Sequence, residues 1–234
     1  METCRKNKKR LRKIAASSAV LRLKISKTLN ILVLAFSNSM PSREIAMNEI
    51  IQTILDRRSI RAYQPRQIGV QELQEILLAG QYAPTAMGQQ PWHFTVLQKP
   101  DLLEKLQVQC KSVFLYSDNE YLRQAASREE YHVFHHAPTL LIVSGDTQAI
   151  TPLQDCVLAM ENMLLAAASL GIGSCWVHSV VMLWGSPDGA ALFKNLGIAI
   201  PPGYAPYAAA VFGYSALPLP EAAPRKPDTV TYLQ

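Results

Sequence analysis

Arg57-Arg58-Ser59-Ile60-Arg61 sets three guanidiniums and a hydroxyl within five residues. Guanidiniums grip phosphate through paired hydrogen bonds, and a hydroxyl or backbone N–H completes such a cradle. The same run also suits a solvated basic helix end. The segment Ala83-Pro84-Thr85-Ala86-Met87-Gly88-Gln89-Gln90-Pro91-Trp92 is rich in small residues. Its backbone can approach a flat ligand, with Gln89 and Gln90 as amide donors and acceptors, or it simply joins a helix to a strand. Gly171-Ile172-Gly173-Ser174-Cys175-Trp176-Val177-His178 carries a G-x-G. It lacks the third glycine and follows a helix instead of a strand, which excludes a dinucleotide fingerprint. Cys175 has no basic neighbour in sequence and reads as a buried thiol. Pro224-Arg225-Lys226-Pro227 offers two cations in an extended terminus, which also reads as a solvated tail. No C-x-x-C or H-E-x-x-H occurs, and the adjacent His135 and His136 diverge in regular structure, so no metal site is expected.

The elements that must position these groups follow from periodicity. Apolar residues at helical spacing predict helices over 47–57, 70–81, 100–116, 153–170 and 187–196. Trp92 to Leu97, Ile172 to Val177 and Tyr207 to Tyr214 read as strands. Thr139 to Ser144 is a continuous apolar run of strand length, expected at the centre of a sheet. Helix 153–170 is apolar nearly all round and is expected to be buried on several sides, ending at Gly171. Residues 117–136 are polar and mixed, read as a surface helix that could cover a cleft. From Leu217 the chain is Pro-rich and extended. Strands spread among helices, with no internal repeat, indicate a mixed layered protein around one sheet.

Taken in order, Arg-Arg-Ser-Ile-Arg, then A-P-T-A-M-G-x-Q-P-W-H-F, then Leu-Gly-Ile-Gly-Ser-Cys-Trp after a long apolar helix, then Gly-Tyr and Pro-Arg-Lys, resemble the FMN-dependent nitroreductase family over nearly all of 47–234. The likeness is to its small members with a Gly-Ser-Cys-Trp stretch. It implies an α+β, three-layer α-β-α fold with a mostly antiparallel central sheet, assembled as a domain-swapped homodimer with FMN at the interface. Arg57 and Ser59, with Arg58 between them, match the family's phosphate ligands, and Arg61 matches the cation at the flavin pyrimidine edge. Pro84, Thr85, Ala86, Met87, Gly88 and Gln90 match the P-S-x-x-N-x-Q loop that the partner subunit lends. Trp176, Val177 and His178 match the backbone facing flavin N5, and Arg225 and Lys226 match the C-terminal phosphate cations. Gly88 stands where the family has asparagine, and His178 where some relatives carry an acid. The implied activity is ping-pong reduction by NAD(P)H of a small-molecule acceptor (nitroaromatic, quinone or similar electrophile), with the hydride on flavin N5 and no catalytic side chain. The alternatives are a flavoprotein of this fold with reductive dehalogenation or flavin fragmentation chemistry, and a basic-arm binder of nucleic acid or membrane surface.

Charge placement locates that last alternative in the N-terminal segment. The chain carries +5 overall, yet residues 1–46 hold 11 basic and two acidic residues, a net +9. The remaining 12 basic and 16 acidic residues leave 47–234 at −4. Residues 1–46 therefore read as an appendage, expected to be disordered or absent from the mature enzyme. It suits an over-long reading frame with starts at Met40 or Met47, a transit segment, or a basic arm. Its apolar run Ile31 to Phe36 is far short of the roughly 20 residues a membrane span needs. With 49% hydrophobic and 18% charged residues, the chain as a whole has the composition of a folded protein and not of a disordered one. Three cysteines in the body, an odd number, point to reduced thiols and a cytoplasmic location. No nucleic-acid or membrane partner is expected.

Overall fold

The computed structural model describes residues 47–233; the expectations for 1–46 lie outside the described residues. The elements are α1 (Glu49–Asp56), α2 (Val70–Gln81), a 3₁₀ turn (Ala86–Gly88), β1 (Trp92–Leu97), α3 (Pro100–Leu115), α4 (Glu120–Ala126), β2 (Thr139–Asp146), α5 (Pro152–Ser169), β3 (Gly173–Trp176), α6 (Ser179–Trp184), α7 (Gly189–Asn195) and β4 (Tyr204–Gly213). The strands form one antiparallel sheet in the order β1-β2-β4-β3. The apolar run Thr139 to Ser144 lies in β2, one of the two central strands, and is fully buried.

Alternation along the strands builds two cores. Leu140 and Ile142 of β2, Ala209 and Val211 of β4 and Cys175 of β3 pack with α3, α6 and α7. Leu141 and Val143 of β2 with Ala208, Ala210 and Phe212 of β4 pack against α2 and α5 on the opposite face. The result is helices, sheet, helices: the expected three layers. In α5 the small side chains of Ala159 and Ala167 are wholly buried beside Met160 and Met163. Gly171 ends that helix at φ +73°, a left-handed conformation that glycine adopts without strain.

Three expectations need correction. Residues 117–136 are helical only over Glu120–Ala126. The rest is turns that drive Val133 and Phe134 into the core, so the stretch is not a surface helix. Its polar composition hid two anchoring apolar residues. Ser179–Trp184 forms a short helix outside the predicted elements, because six residues of mostly apolar character show no period. Leu153 and Leu158 of α5 are exposed, while Asp155, a charged residue, is buried there.

The strip that follows α1 is sewn to the sheet at two points. Ile60 N–H donates to the Ser174 carbonyl at 2.9 Å, with Ser59 pairing parallel to Ser174. Further on, Gln64 N–H donates to Tyr214 O and Ala216 N–H to Ala62 O, both at 2.9 Å, around an antiparallel pairing of Tyr63 with Ser215. The first seam needs Gly173: a Cβ there would meet Ile60 Cγ1 at 2.9 Å and the Gly213 carbonyl at 3.1 Å. Gly173→Ala should therefore cost about 1–3 kcal/mol in urea unfolding and speed amide exchange at Ile60. An unchanged midpoint with unchanged exchange contradicts this seam.

Candidate functional site

β3 is an edge strand, and the strip Arg57–Arg61 lies along its outer edge. Arg57 is the C-cap of α1, where the helix stops because the residue turns extended (φ −55°, ψ 132°). From there the strip runs past β3 with Ile60 buried inward and Arg61 exposed. Arg61 and Arg57 both project their fields onto Cys175. Burial nonetheless dominates and raises the Cys175 thiol above its ordinary range, which leaves it without thiolate character at neutral pH. Cys110 and Cys156 are likewise free and buried, each pushed up to about 12 by burial.

One ion pair occurs among the described residues, His132 with Glu104 at 3.3 Å, so Arg57 and Arg61 have no counterion there. Arg58 differs. Its guanidinium donates to the carbonyls of Leu55 (2.6 Å), Arg57 (2.8 Å) and Pro220 (3.1 Å). It is a clamp that fastens the C-terminal tail to the end of α1, through Nε and Nη1. Arg57 and Arg58 line a cleft of about 550 Å³ together with Leu217 to Leu219. Arg225 and Lys226 do not line it; they are exposed on the extended tail, where Arg225 donates to the Ala223 carbonyl at 3.2 Å.

Trp176, Val177 and His178 leave the end of β3 on the same edge. Val177 N–H is taken by Ala209 O at 2.9 Å, and Val177 is buried while His178 is exposed at the start of α6. The edge thus gathers Arg57, Ser59, Arg61, Trp176 and His178.

The loop from Pro84 to Gln90 lies elsewhere, because it leads into β1 at the opposite edge of the sheet. Three strand spacings, roughly 14 Å, separate the two edges. Met87, Gly88 and Gln90 have φ of 52°, 67° and 48° and are exposed. Two of these are non-glycine residues in the left-handed region, a conformation that persists only where neighbours enforce it. The neighbours are identifiable. Gln90 N–H donates to Thr85 Oγ1 at 3.2 Å, and Ile150 N–H to Gln89 Oε1 at 3.0 Å. Ala86 N–H donates to Asp155 Oδ1 at 3.2 Å, which Thr151 Oγ1 also reaches at 3.1 Å. Asp155 is 2% exposed and its Oδ2 is buried without a partner. This positioning residue was missed from the sequence; the available signal was a lone carboxylate on an otherwise apolar stripe.

Comparison with known proteins bears on what the two edges hold. The sequence model of the Nitroreductase family matches residues 54–214. A nitroreductase from Bacteroides fragilis, solved with bound FMN, is 39% identical with a TM-score of 0.72, covering 80% of this chain and all of that one. A second from Desulfitobacterium hafniense, also with bound FMN, is 26% identical with a TM-score of 0.70 and the same coverage. An Archaeoglobus fulgidus protein provisionally named an NADH dehydrogenase/NAD(P)H nitroreductase is 30% identical over 66% of this chain and 87% of its own length.

The buried carboxylate makes a test of the loop. Asp155→Ala should raise amide exchange at Ala86 and Gln90 by about tenfold or more, the loss expected when a charged hydrogen bond of about 1.5–3 kcal/mol goes. Asp155→Asn, which keeps an acceptor oxygen, should stay near wild type. Equal exchange in all three proteins would remove Asp155 from this role.

Proposed function

The chain belongs to the nitroreductase family, and we propose that two copies bind FMN between them and use NAD(P)H to reduce nitroaromatics, quinones or similar electrophiles. The observation that carries this reading is the division of the site. Unpaired cations and the Trp176–His178 backbone lie on one sheet edge, and a strained, exposed loop lies on the other. A second copy would bring one chain's loop to the other chain's cationic edge.

Surface chemistry favours that second copy. α1 buries no residue, although Ile50, Ile51, Ile54 and Leu55 are all apolar and between 47% and 68% exposed. Leu217, Leu219, Val230, Tyr232 and Leu233 are exposed on the tail. Apolar surface on this scale marks an interface.

The residues present fit a flavin mononucleotide. Arg57 has a free guanidinium at the edge where Ser59 adds a hydroxyl, the donor set a phosphate dianion takes. Arg225 and Lys226, exposed on the extended tail, would reach a phosphate only in the assembled dimer. Arg61 sets a fixed positive charge along the same edge, suited to the electron-rich pyrimidine side of the ring. Pro84 to Gln90 would contact the ring and ribityl chain through backbone and the Gln90 amide, since Gly88 brings no side chain. Trp176, Val177 and His178 would supply backbone along the ring, with His178 facing the acceptor. FMN held there would supply the two-electron chemistry that couples NAD(P)H oxidation to reduction of the acceptor. The chain's own groups bind, orient and hold charge; none needs to exchange a proton. Relatives named for FMN reduction support the use of NAD(P)H: a Bacillus subtilis FMN reductase (NADPH) is 26% identical over 57% of this chain and 55% of its own length. The unpaired buried thiols suit a reducing, cytoplasmic setting. No helix among the described residues is long and apolar enough to cross a membrane.

Purified protein should be yellow, release FMN on denaturation and bleach with NAD(P)H. A colourless protein that takes up no FMN contradicts the proposal. Arg57→Ala should weaken FMN affinity by about tenfold or more, the loss of one charge-assisted hydrogen bond. Equal affinity would remove the phosphate assignment. Ile50→Asp with Ile54→Asp should shift sedimentation from dimer to monomer and lower FMN retention in parallel. A dimer that persists with full flavin contradicts the interface.

A further inference from the structure

A cleft of about 440 Å³ opens between the strip Arg61–Tyr63 and the turn Arg128–His136. The proposed flavin site uses only Arg61 of its lining. The turn is fixed from beneath. Val133 and Phe134 are buried, and Lys111 Nζ donates to the carbonyls of Arg128 and Glu129 at 2.7 and 3.2 Å. His132 Nδ1 accepts from the N–H groups of Phe134 and His136 at 3.1 and 3.3 Å. Those two bonds leave the His132 proton on Nε2, which faces Glu104 Oε2 at 3.3 Å.

Held this way, His135 and His136 take φ of 54° and 57°, two consecutive non-glycine residues in the left-handed region. Such strain survives where the surroundings enforce it, and it clusters at ligand sites. Its effect here is to set His135 at the cleft wall, in the field of Arg61. Burial, and then Arg61, lower His135 to about 4, so at neutral pH it offers one N–H and one lone pair and no charge. The charged groups that line the cleft are Arg61, Arg128 and Glu130, and neither arginine has a counterion among the described residues. The Tyr63 hydroxyl is already committed, donating to Ile60 O at 2.7 Å. No three metal-ligating side chains converge among the described residues.

A net positive cleft with an arginine fork and a neutral imidazole fits a small planar or tetrahedral anion better than a neutral or cationic group. We infer that this cleft is an anion subsite beside the flavin, taking the carboxylate of an aromatic acceptor or the phosphate that distinguishes NADPH from NADH. Its placement beside the flavin rests on the proposed function, through Arg61. Arg128 and His135 would hold the anion, and Glu130 would oppose it.

Calorimetric titration of benzoate, inorganic phosphate and benzyl alcohol into the flavin-loaded protein separates charge from ring. An anion should bind and benzyl alcohol should not match it. Arg128→Ala should weaken the anion by about fivefold, and Glu130→Gln should tighten it by about twofold, the range of partly exposed charge pairs. Shifts of opposite sign at two exposed residues have no origin in a folding defect. Benzoate binding alone assigns an acceptor carboxylate; phosphate binding with a lower KM for NADPH than for NADH assigns the cofactor phosphate. Equal binding of all three probes, or anion affinity unmoved by both variants, overturns the subsite. A protein that holds FMN and reduces 4-nitrobenzyl alcohol but shows no anion preference overturns the subsite alone. Failure to hold FMN at all overturns the proposed function instead.

Discussion

The seam between Ile60 and Ser174 governs the rest of the structure. A single hydrogen bond of 2.9 Å, made possible by the absence of a side chain at Gly173, fixes the register of the strip that follows α1. Arg57, Ser59 and Arg61 take their places along β3 only because Ile60 is buried between them. A slip by one residue would turn Ile60 outward and the cations toward the core, where unpaired charges are not tolerated. The second seam at Tyr63 and Ser215 locks the same register from the far end of β4. The cationic edge is thus a consequence of sheet pairing and does not depend on the flexible reach of arginine side chains.

The opposite edge is built on a different principle. The loop before β1 is held in left-handed conformations by groups from outside it, chiefly Asp155 and the Ile150 amide. Burying a carboxylate with one oxygen unpaired is unfavourable, and here that carboxylate holds a strained, exposed loop in shape. The two edges are complementary in kind: one rigid and charged, one strained and neutral. They lie at opposite edges of one sheet, and under the proposed dimer a second copy would join them and cover the apolar face that α1 exposes among the described residues.

Much of this was legible in the sequence. The boundaries of 70–81 and 92–97 follow from periodicity, and the unbroken apolar run from Thr139 announces a strand buried on both faces. The order of motifs carried the family. What was not legible depends on contacts distant in sequence. Asp155 meets Ala86 across 69 residues, and its place on an apolar stripe marks it as buried without naming its partner. Arg58 looks equivalent to Arg57 in the run Arg-Arg-Ser, yet the tail carbonyl of Pro220 claims it. The left-handed His135 and His136 exist because Val133 and Phe134 are pinned in the core, a fact that the polar average of 117–136 conceals.

The central claim is that each flavin site takes its cations from one chain and its loop from another. A mixed dimer tests it most directly. One chain carries Arg57→Ala with Arg61→Ala, and the other has the loop between Thr85 and Gln90 shortened. Each alone should form dimers without FMN. In the mixed dimer, the intact edge of one chain meets the intact loop of the other, restoring one complete site. The predicted result is one FMN per mixed dimer. A mixed dimer that binds no FMN, as a site contained within a single chain requires, would contradict the account.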